Sequence, residues 1–130
     1  MGRPRARTVV LDAGALIALE KRDRKMEALL RLAHRVQAPI VIPAGVLAQV
    51  WTGDAEQAPL HRLLRRHTTE VVALDRVLAE GVGRLCKRAG TSDVVDASVV
   101  IAARQANAVV LTSDPADLKR LDPRLPVERV

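Results

Sequence analysis

The chain has 130 residues, 48% of them hydrophobic and 28% charged, a balance that supports one hydrophobic core and excludes both a disordered chain and a multidomain protein. A single cysteine, Cys86, rules out an internal disulfide or a cysteine metal cluster, and no run reaches the roughly 18 apolar residues of a membrane span. The net charge of +6 points to a polyanionic partner, nucleic acid first, while the near absence of aromatics (Trp51 alone) excludes RNA-binding modules that stack bases on aromatic platforms. The basic start MGRPRAR lacks a signal-peptide core, so a cytoplasmic protein with no membrane association is expected. Residues 1–130 read as one domain, with 1–6 as a flexible basic arm.

In chain order, Arg7–Leu11 reads as a buried strand ending on Asp12, and Ala13–Glu20 as a short helix. An amphipathic helix carrying Met26, Leu29, Leu30, Leu32 and Ala33 runs to about Gln37, where Pro39 stops it. Ile40–Ile42 is strand-like, and Pro43 opens a helix with Val46, Leu47 and Val50 that ends near Trp51–Gly53. Glu56–His67 reads as a basic helix with Arg62, Arg65 and Arg66 exposed. Thr69–Leu74 is strand-like, and Asp75 caps a helix from Arg76 to Ala89 that Gly90 ends. Asp93 and Asp96 open a largely apolar helix, Ala108–Thr112 forms a strand ending on Ser113 and Asp114, a short helix closes at Leu118–Leu121, and Pro126–Val130 is a terminal edge strand. Strands alternating with helices predict a three-layer α/β/α fold around a central parallel β-sheet. Functional crevices in such sheets lie beyond the carboxyl ends of the strands, where Asp12 and Asp114 both fall.

Each acid also has a structural reading. Asp12 and Asp114 suit helix N-caps, and Asp93 suits a first helical turn. Asp96 is harder to explain so, because it is set among Val94, Val95, Ala97 and Val99, beyond where a cap is needed. Buried carboxylates need a partner, and two on one helix face repel unless a cation or a proton intervenes. Oxygen-only donors from several elements suit Mg²⁺ or Mn²⁺ rather than zinc, which normally takes His or Cys. His34, His61 and His67 read as solvated residues on polar helix faces. Asp117 reads as a first-turn acid of the last helix, and Asp23, Asp54 and Asp122 as loop residues. A basic chain with an acidic pocket fits phosphodiester hydrolysis by metal-activated water. Other phosphoryl-transfer designs fit less well: there is no GxxxxGK[ST] loop, and Gly14 stands where an aspartate-nucleophile phosphatase wants its second acid.

Four ordered segments, VVLDAGALIALE (Val9–Glu20), VIPAGVLAQVW (Val41–Trp51), TSDVVDASVVIAAR (Thr91–Arg104) and VVLTSDPADLKRL (Val109–Leu121), resemble a PIN domain of the VapC type of bacterial toxin ribonuclease. The resemblance implies a PIN-like fold and a metal-dependent endoribonuclease acting on RNA, with Mg²⁺ or Mn²⁺ as cofactor. Asp12, Asp96 and Asp114 match three of the family's four core acids and carry over as catalytic residues and metal ligands. Asp93 is an additional acid and a further metal ligand. The second core acid, normally Glu, falls at Gln49, which can ligate or orient but brings no charge. Ser113 and Asp117 stand as weaker contributors beside these. The resemblance also implies a VapB-like antitoxin partner and a homodimer. Trp51 reads either as an anchor for that partner or as core packing. The alternative reading is a PIN fold weakened by Gln49 that binds RNA or an antitoxin without cutting.

Overall fold

The computed structural model describes residues 6–130. Its five strands form one sheet in the order β3-β2-β1-β4-β5, with β1 at Val9–Leu11, β2 at Ile40–Pro43, β3 at Thr69–Val72, β4 at Val109–Thr112 and β5 at Val127–Arg129. Every pairing is parallel, and β1 is central, with Val9 opposite Ile40 on one side and Val109 on the other. All four β2 residues are buried, as are Val10 and Leu11 on β1. Side chains alternate between sheet faces along a strand, so burial of successive residues means that helices cover both faces.

Those helices are α1 (Ala13–Glu20), α2 (Arg24–Arg35), α3 (Ala44–Val50), α4 (Ala58–Leu64), α5 (Arg76–Ala89), α6 (Val94–Ala106) and α7 (Pro115–Leu121). Helix α1 packs on β1 and β4 and against α2, α3 and α4; α6 packs on β1, β2 and β4 and against α3, α5 and α7. One core cluster runs through both layers, with Leu11, Leu16, Met26, Ile42 and Val99 fully enclosed. The expected α/β/α architecture is therefore present. The expected arm at 1–6 lies outside the described residues except Ala6, which packs against the core.

The chain's caps follow their chemistry. Asp23 Oδ2 accepts from Met26 N–H at 2.9 Å, and Asp75 Oδ1 from Leu78 N–H at 2.9 Å. Gly90 ends α5 at φ +69, the left-handed conformation glycine adopts without penalty.

Several expectations need correction. The basic helix read over Glu56–His67 is a single 3₁₀ turn at Ala55–Gln57 followed by α4, which stops at Leu64, leaving His67 in the turn before β3 rather than on a helix face. Gln57 causes the break: its buried side chain accepts from Thr52 and Gly53 N–H, and donates to Glu20 and to the Val50 carbonyl. The amide thus ties the 51–54 loop to α1 and α3. Arg66 is not an exposed helix residue; its Nη1 is buried. Trp51 does not pack in the core: it is 41% exposed, with its ring edge-on to His61 at 4.6 Å between centroids.

Candidate active site

The strand order reverses at β1, since the chain builds outward to β2 and β3, then returns to place β4 on the other side. The crevice at such a switch point is where open parallel sheets bind ligands. The residue after β1 is Asp12 and the second residue after β4 is Asp114. Asp12 is 8% exposed and caps α1, its Oδ1 accepting from Ala15 N–H at 2.9 Å. Asp114 stands at the corresponding cap of α7 but makes no side-chain capping hydrogen bond, so its carboxylate is not used by the helix.

Two small residues join these ends. Thr112 is fully buried; its Oγ1 accepts from Asp114 N–H at 2.9 Å, and its hydroxyl also hydrogen-bonds the Asp12 carboxylate. Gly14 lies so close to Ser113 that a Cβ there would stand 2.0 Å from Ser113 Oγ and 2.9 Å from its Cβ. Glycine is needed at position 14 because the β4–α7 turn packs directly on the first turn of α1. Ser113 is thus exposed to solvent on one side and seated on Gly14 on the other. Thr112 escaped the sequence reading; the available signal was a hydroxyl ending an otherwise apolar strand.

Helix α6 brings the next pair. It begins at Val94, after Asp93, because Asp93 Oδ1 accepts from Asp96 N–H at 3.0 Å and thereby caps the helix. Asp96 therefore lies within the first turn, not beyond it as expected. Its backbone amide is what Asp93 caps, and its own carboxylate is left to face its neighbours. Asp93, Asp96 and Asp117 line an open cleft of about 360 Å³ whose wall also carries Thr91 and Arg120. Asp12 and Asp114 lie beside this cleft rather than on its wall, and their charges reach into it.

The acids act on one another. Burial raises the Asp12 carboxyl above its usual range, and Asp114 adds to this against the pull of Thr112 and the Ala15 and Gly14 amides. Asp96 is pushed up to about 6, first by burial, then by Asp93, with smaller contributions from Asp117 and Asp12. Asp117 is raised chiefly by its hydrogen bond to Asp114 and by that residue's charge, while Arg120, at 3.3 Å, pulls the other way. Among the described residues, no cationic side chain forms an ion pair with Asp12, Asp93, Asp96 or Asp114. By contrast Asp122 is paired with Arg104 at 3.0 Å.

The donors are all carboxylate, amide or hydroxyl oxygens, which suit a hard divalent cation and not zinc. Among the described residues no three carboxylates stand close enough to enclose a bare ion. The set therefore fits a cation held by one or two carboxylates with water completing its shell, the usual manner of Mg²⁺. Gln49 is exposed on the last turn of α3, a helix packed against both α1 and α6. Helix α3 contributes no carboxylate to the site.

The match to the sequence profile of the PIN domain covers residues 9–122, and the chain belongs to that family. Among solved structures it resembles VapBC2 from Rickettsia felis bound to a DNA fragment from its promoter, at 20% identity and a TM-score of 0.72, covering 95% of this chain and 98% of that one. It also resembles DNA-bound VapBC from Salmonella typhimurium (17%, TM-score 0.68, 95% and 98%) and FitAcB from Neisseria gonorrhoeae (17%, TM-score 0.64, 92% and 96%). At these identities the likeness is one of fold. No curated protein matches the chain in sequence.

Proposed function

We propose that this PIN domain is a Mg²⁺- or Mn²⁺-dependent endoribonuclease, the toxin of a type II toxin–antitoxin pair. The observation that carries this reading is the convergence of Asp12, Asp93, Asp96, Asp114 and Asp117 at the switch point of a basic chain, with only Asp117 ion-paired. Uncompensated carboxylates in one crevice are costly unless they serve a cation.

Of Asp12, Asp96 and Asp114, one or two would ligate the cation directly and the remainder through its water shell, with Asp93 beside them. The bound ion would supply charge neutralisation at the scissile phosphate and lower the pKa of an attacking water. The protein's own part is positional. Thr112 fixes Asp12 and Asp114 relative to each other, Gly14 and Ser113 set the approach of the two loops, and Asp93 fixes the start of α6. With a pKa of about 6, Asp96 is the carboxylate whose protonation state changes nearest neutral pH. Asp117, hydrogen-bonded to Asp114, would steady that carboxylate.

Support for an antitoxin partner comes from the likeness to VapBC and FitAB complexes, and Trp51, 41% exposed, is an available anchor. Among the described residues no helix is long and apolar enough to cross a membrane, consistent with the proposed cytoplasmic site of action. We further propose a homodimer, as the resemblance implies.

Incubation of a mixed RNA pool with the full chain tests the activity. Cleavage with Mg²⁺ or Mn²⁺ that stops in EDTA and in Asp96→Asn supports the reading; cleavage unchanged in Asp96→Asn overturns it. Gln49 favours one competing reading, an RNA- or antitoxin-binding PIN fold with little chemistry of its own. In that case wild type is inactive and Gln49→Glu gains metal-dependent cleavage.

A further inference from the structure

A cluster of arginines lies at the opposite end of the sheet from the acids. A cleft of about 390 Å³ opens between the C-terminal end of α1, α2 and α4, walled by Arg22, Arg31, Arg62, Arg66 and Glu27 over an apolar floor. It lies at the amino ends of the strands, because Arg22 follows the last turn of α1 and Arg66 precedes β3. Glu27 is the only carboxylate on the wall, and it lies 4.0 Å from Arg31. Among the described residues Arg22, Arg62 and Arg66 have no ion-pair partner, and residues 1–5 contain no acid that could supply one. Arg66 Nη1 is buried without a hydrogen-bond acceptor among the described residues. A charged donor is rarely left so, because it has lost its water and gained nothing in exchange.

We propose that this arginine cleft binds backbone phosphates of a single-stranded nucleic acid, holding the strand that runs along α1 away from the acid crevice. Guanidinium groups match phosphate with paired, charge-assisted hydrogen bonds, and the apolar floor lets the arginine stems pack while their heads stay presented. Helix α1 links the two sites: Asp12 precedes it and Arg22 lies just beyond its eight residues, which span about 12 Å at 1.5 Å per residue. An acidic protein segment would meet the same charge. Nucleic acid is favoured because a chain whose one aromatic is Trp51 has no stacking platform and must hold a single strand by its phosphates. The choice of RNA as that strand rests on the nuclease reading above; phosphate binding by the cleft does not.

The test is a salt titration of a short labelled single-stranded RNA of mixed sequence, followed by fluorescence anisotropy in EDTA so that nothing is cut. Wild type is compared with Arg22→Asn/Arg62→Gln/Arg66→Gln and with a control of equal charge loss outside the cleft wall, Arg35→Gln/Arg84→Gln/Arg88→Gln. Asparagine is chosen for position 22 because Arg22 has φ +56, a conformation asparagine tolerates. In the cleft variant the slope of log K against log salt should shrink by about 2, at roughly 0.7 per lost phosphate contact, with affinity at low salt at least about 10-fold weaker. The control should lose much less. If circular dichroism shows the triple variant unfolded, Arg22→Asn/Arg62→Gln, both at exposed positions, should still remove about 1.4 from the slope.

An unchanged slope, an equal loss in the control, or no RNA binding by wild type overturns the proposal. So does a cleft variant that keeps RNA but loses poly-glutamate, which would make this a protein-docking site. A chain that never cuts RNA yet shows the predicted slope sinks the nuclease reading and leaves the cleft standing.

Discussion

The two ends of the sheet carry opposite charge, and they are built differently. At the carboxyl ends the acids are set by backbone: Asp12 and Asp93 accept amide protons as helix caps, and Thr112 ties Asp12 to Asp114. They stay close although their charges repel, and Asp96 is displaced to about 6. At the amino ends the arginines come from α1, α2 and α4, on long side chains with few fixed contacts. Repulsion among the exposed guanidiniums of Arg22, Arg31 and Arg62 is relieved by water and salt at little cost, while Arg66 Nη1 is buried without an acceptor among the described residues. The acid crevice therefore trades stability for a fixed arrangement, as functional sites commonly do; in the arginine cleft the comparable cost falls on Arg66 alone.

The sharpest way to break this contrast is to neutralise an acid. Asp96→Asn should lower kcat/KM for RNA cleavage by at least about 100-fold, the scale of one lost contributor in a preorganised charged site. The same change should raise the Tm of the metal-free protein, because it removes repulsion and a half-buried charge. Loss of activity with loss of stability would mean that Asp96 is simply a structural residue.

Gly14→Ala attacks the joint between the two loops. Its Cβ would meet Ser113 at 2.0 Å from Oγ and 3.2 Å from the backbone nitrogen, so main chain must move. Overpacking of this kind costs about 1–3 kcal/mol, read in urea unfolding, and should lower activity more than Ser113→Ala, which leaves the backbone in place.

Gln49→Glu should tighten Mn²⁺ binding by about 10-fold, the lower end of what a supporting ligand contributes. No change would place α3 outside the metal's reach.

The mildest test is pH. Asp96 has a folded pKa of about 6 against the ordinary carboxyl value of 3.8, so the folded state holds its proton more tightly than the unfolded chain does. Its contribution is fully present below about 3.8 and is lost as pH rises through about 6. Asp12 is displaced in the same direction. Metal-free protein should thus lose Tm across that window, while saturating Mn²⁺, which binds the ionised acids, should reverse the trend. The arginine variants described above keep Asp12 and Asp96 and should show the same pH dependence as wild type.

The architecture was legible in the sequence because buried parallel strands are short apolar runs whose ends are marked by turn residues. Asp12, Asp75 and Gly90 fell at those marks, and the observed caps follow. The order of the acids was legible for the same reason, since Asp12 and Asp114 follow strands. What could not be read was contact between distant segments. Nothing local tells that Thr112 touches Asp12, that Gly14 is packed under Ser113, or that Arg22 and Arg66, from different helices, share a cleft. The break of the 56–67 helix was hidden likewise, because Gln57 is helix-tolerant and acts through Glu20 and Val50, far along the chain. Asp96 was misplaced by one turn because a capping Asp93 reads, in sequence, like a helical residue.

The central claim is that the carboxylates at the switch point exist to hold a divalent cation. Calorimetric titration of Mn²⁺ into the metal-free chain near pH 6, where Asp96 is partly protonated, beside Asp12→Ala/Asp96→Ala, tests it most directly. The account predicts binding by wild type with release of protons, since Asp12 and Asp96 carry raised pKa values, and loss of both heat and proton release in the variant. Equal binding by the variant, or none by wild type at millimolar Mn²⁺, would contradict it.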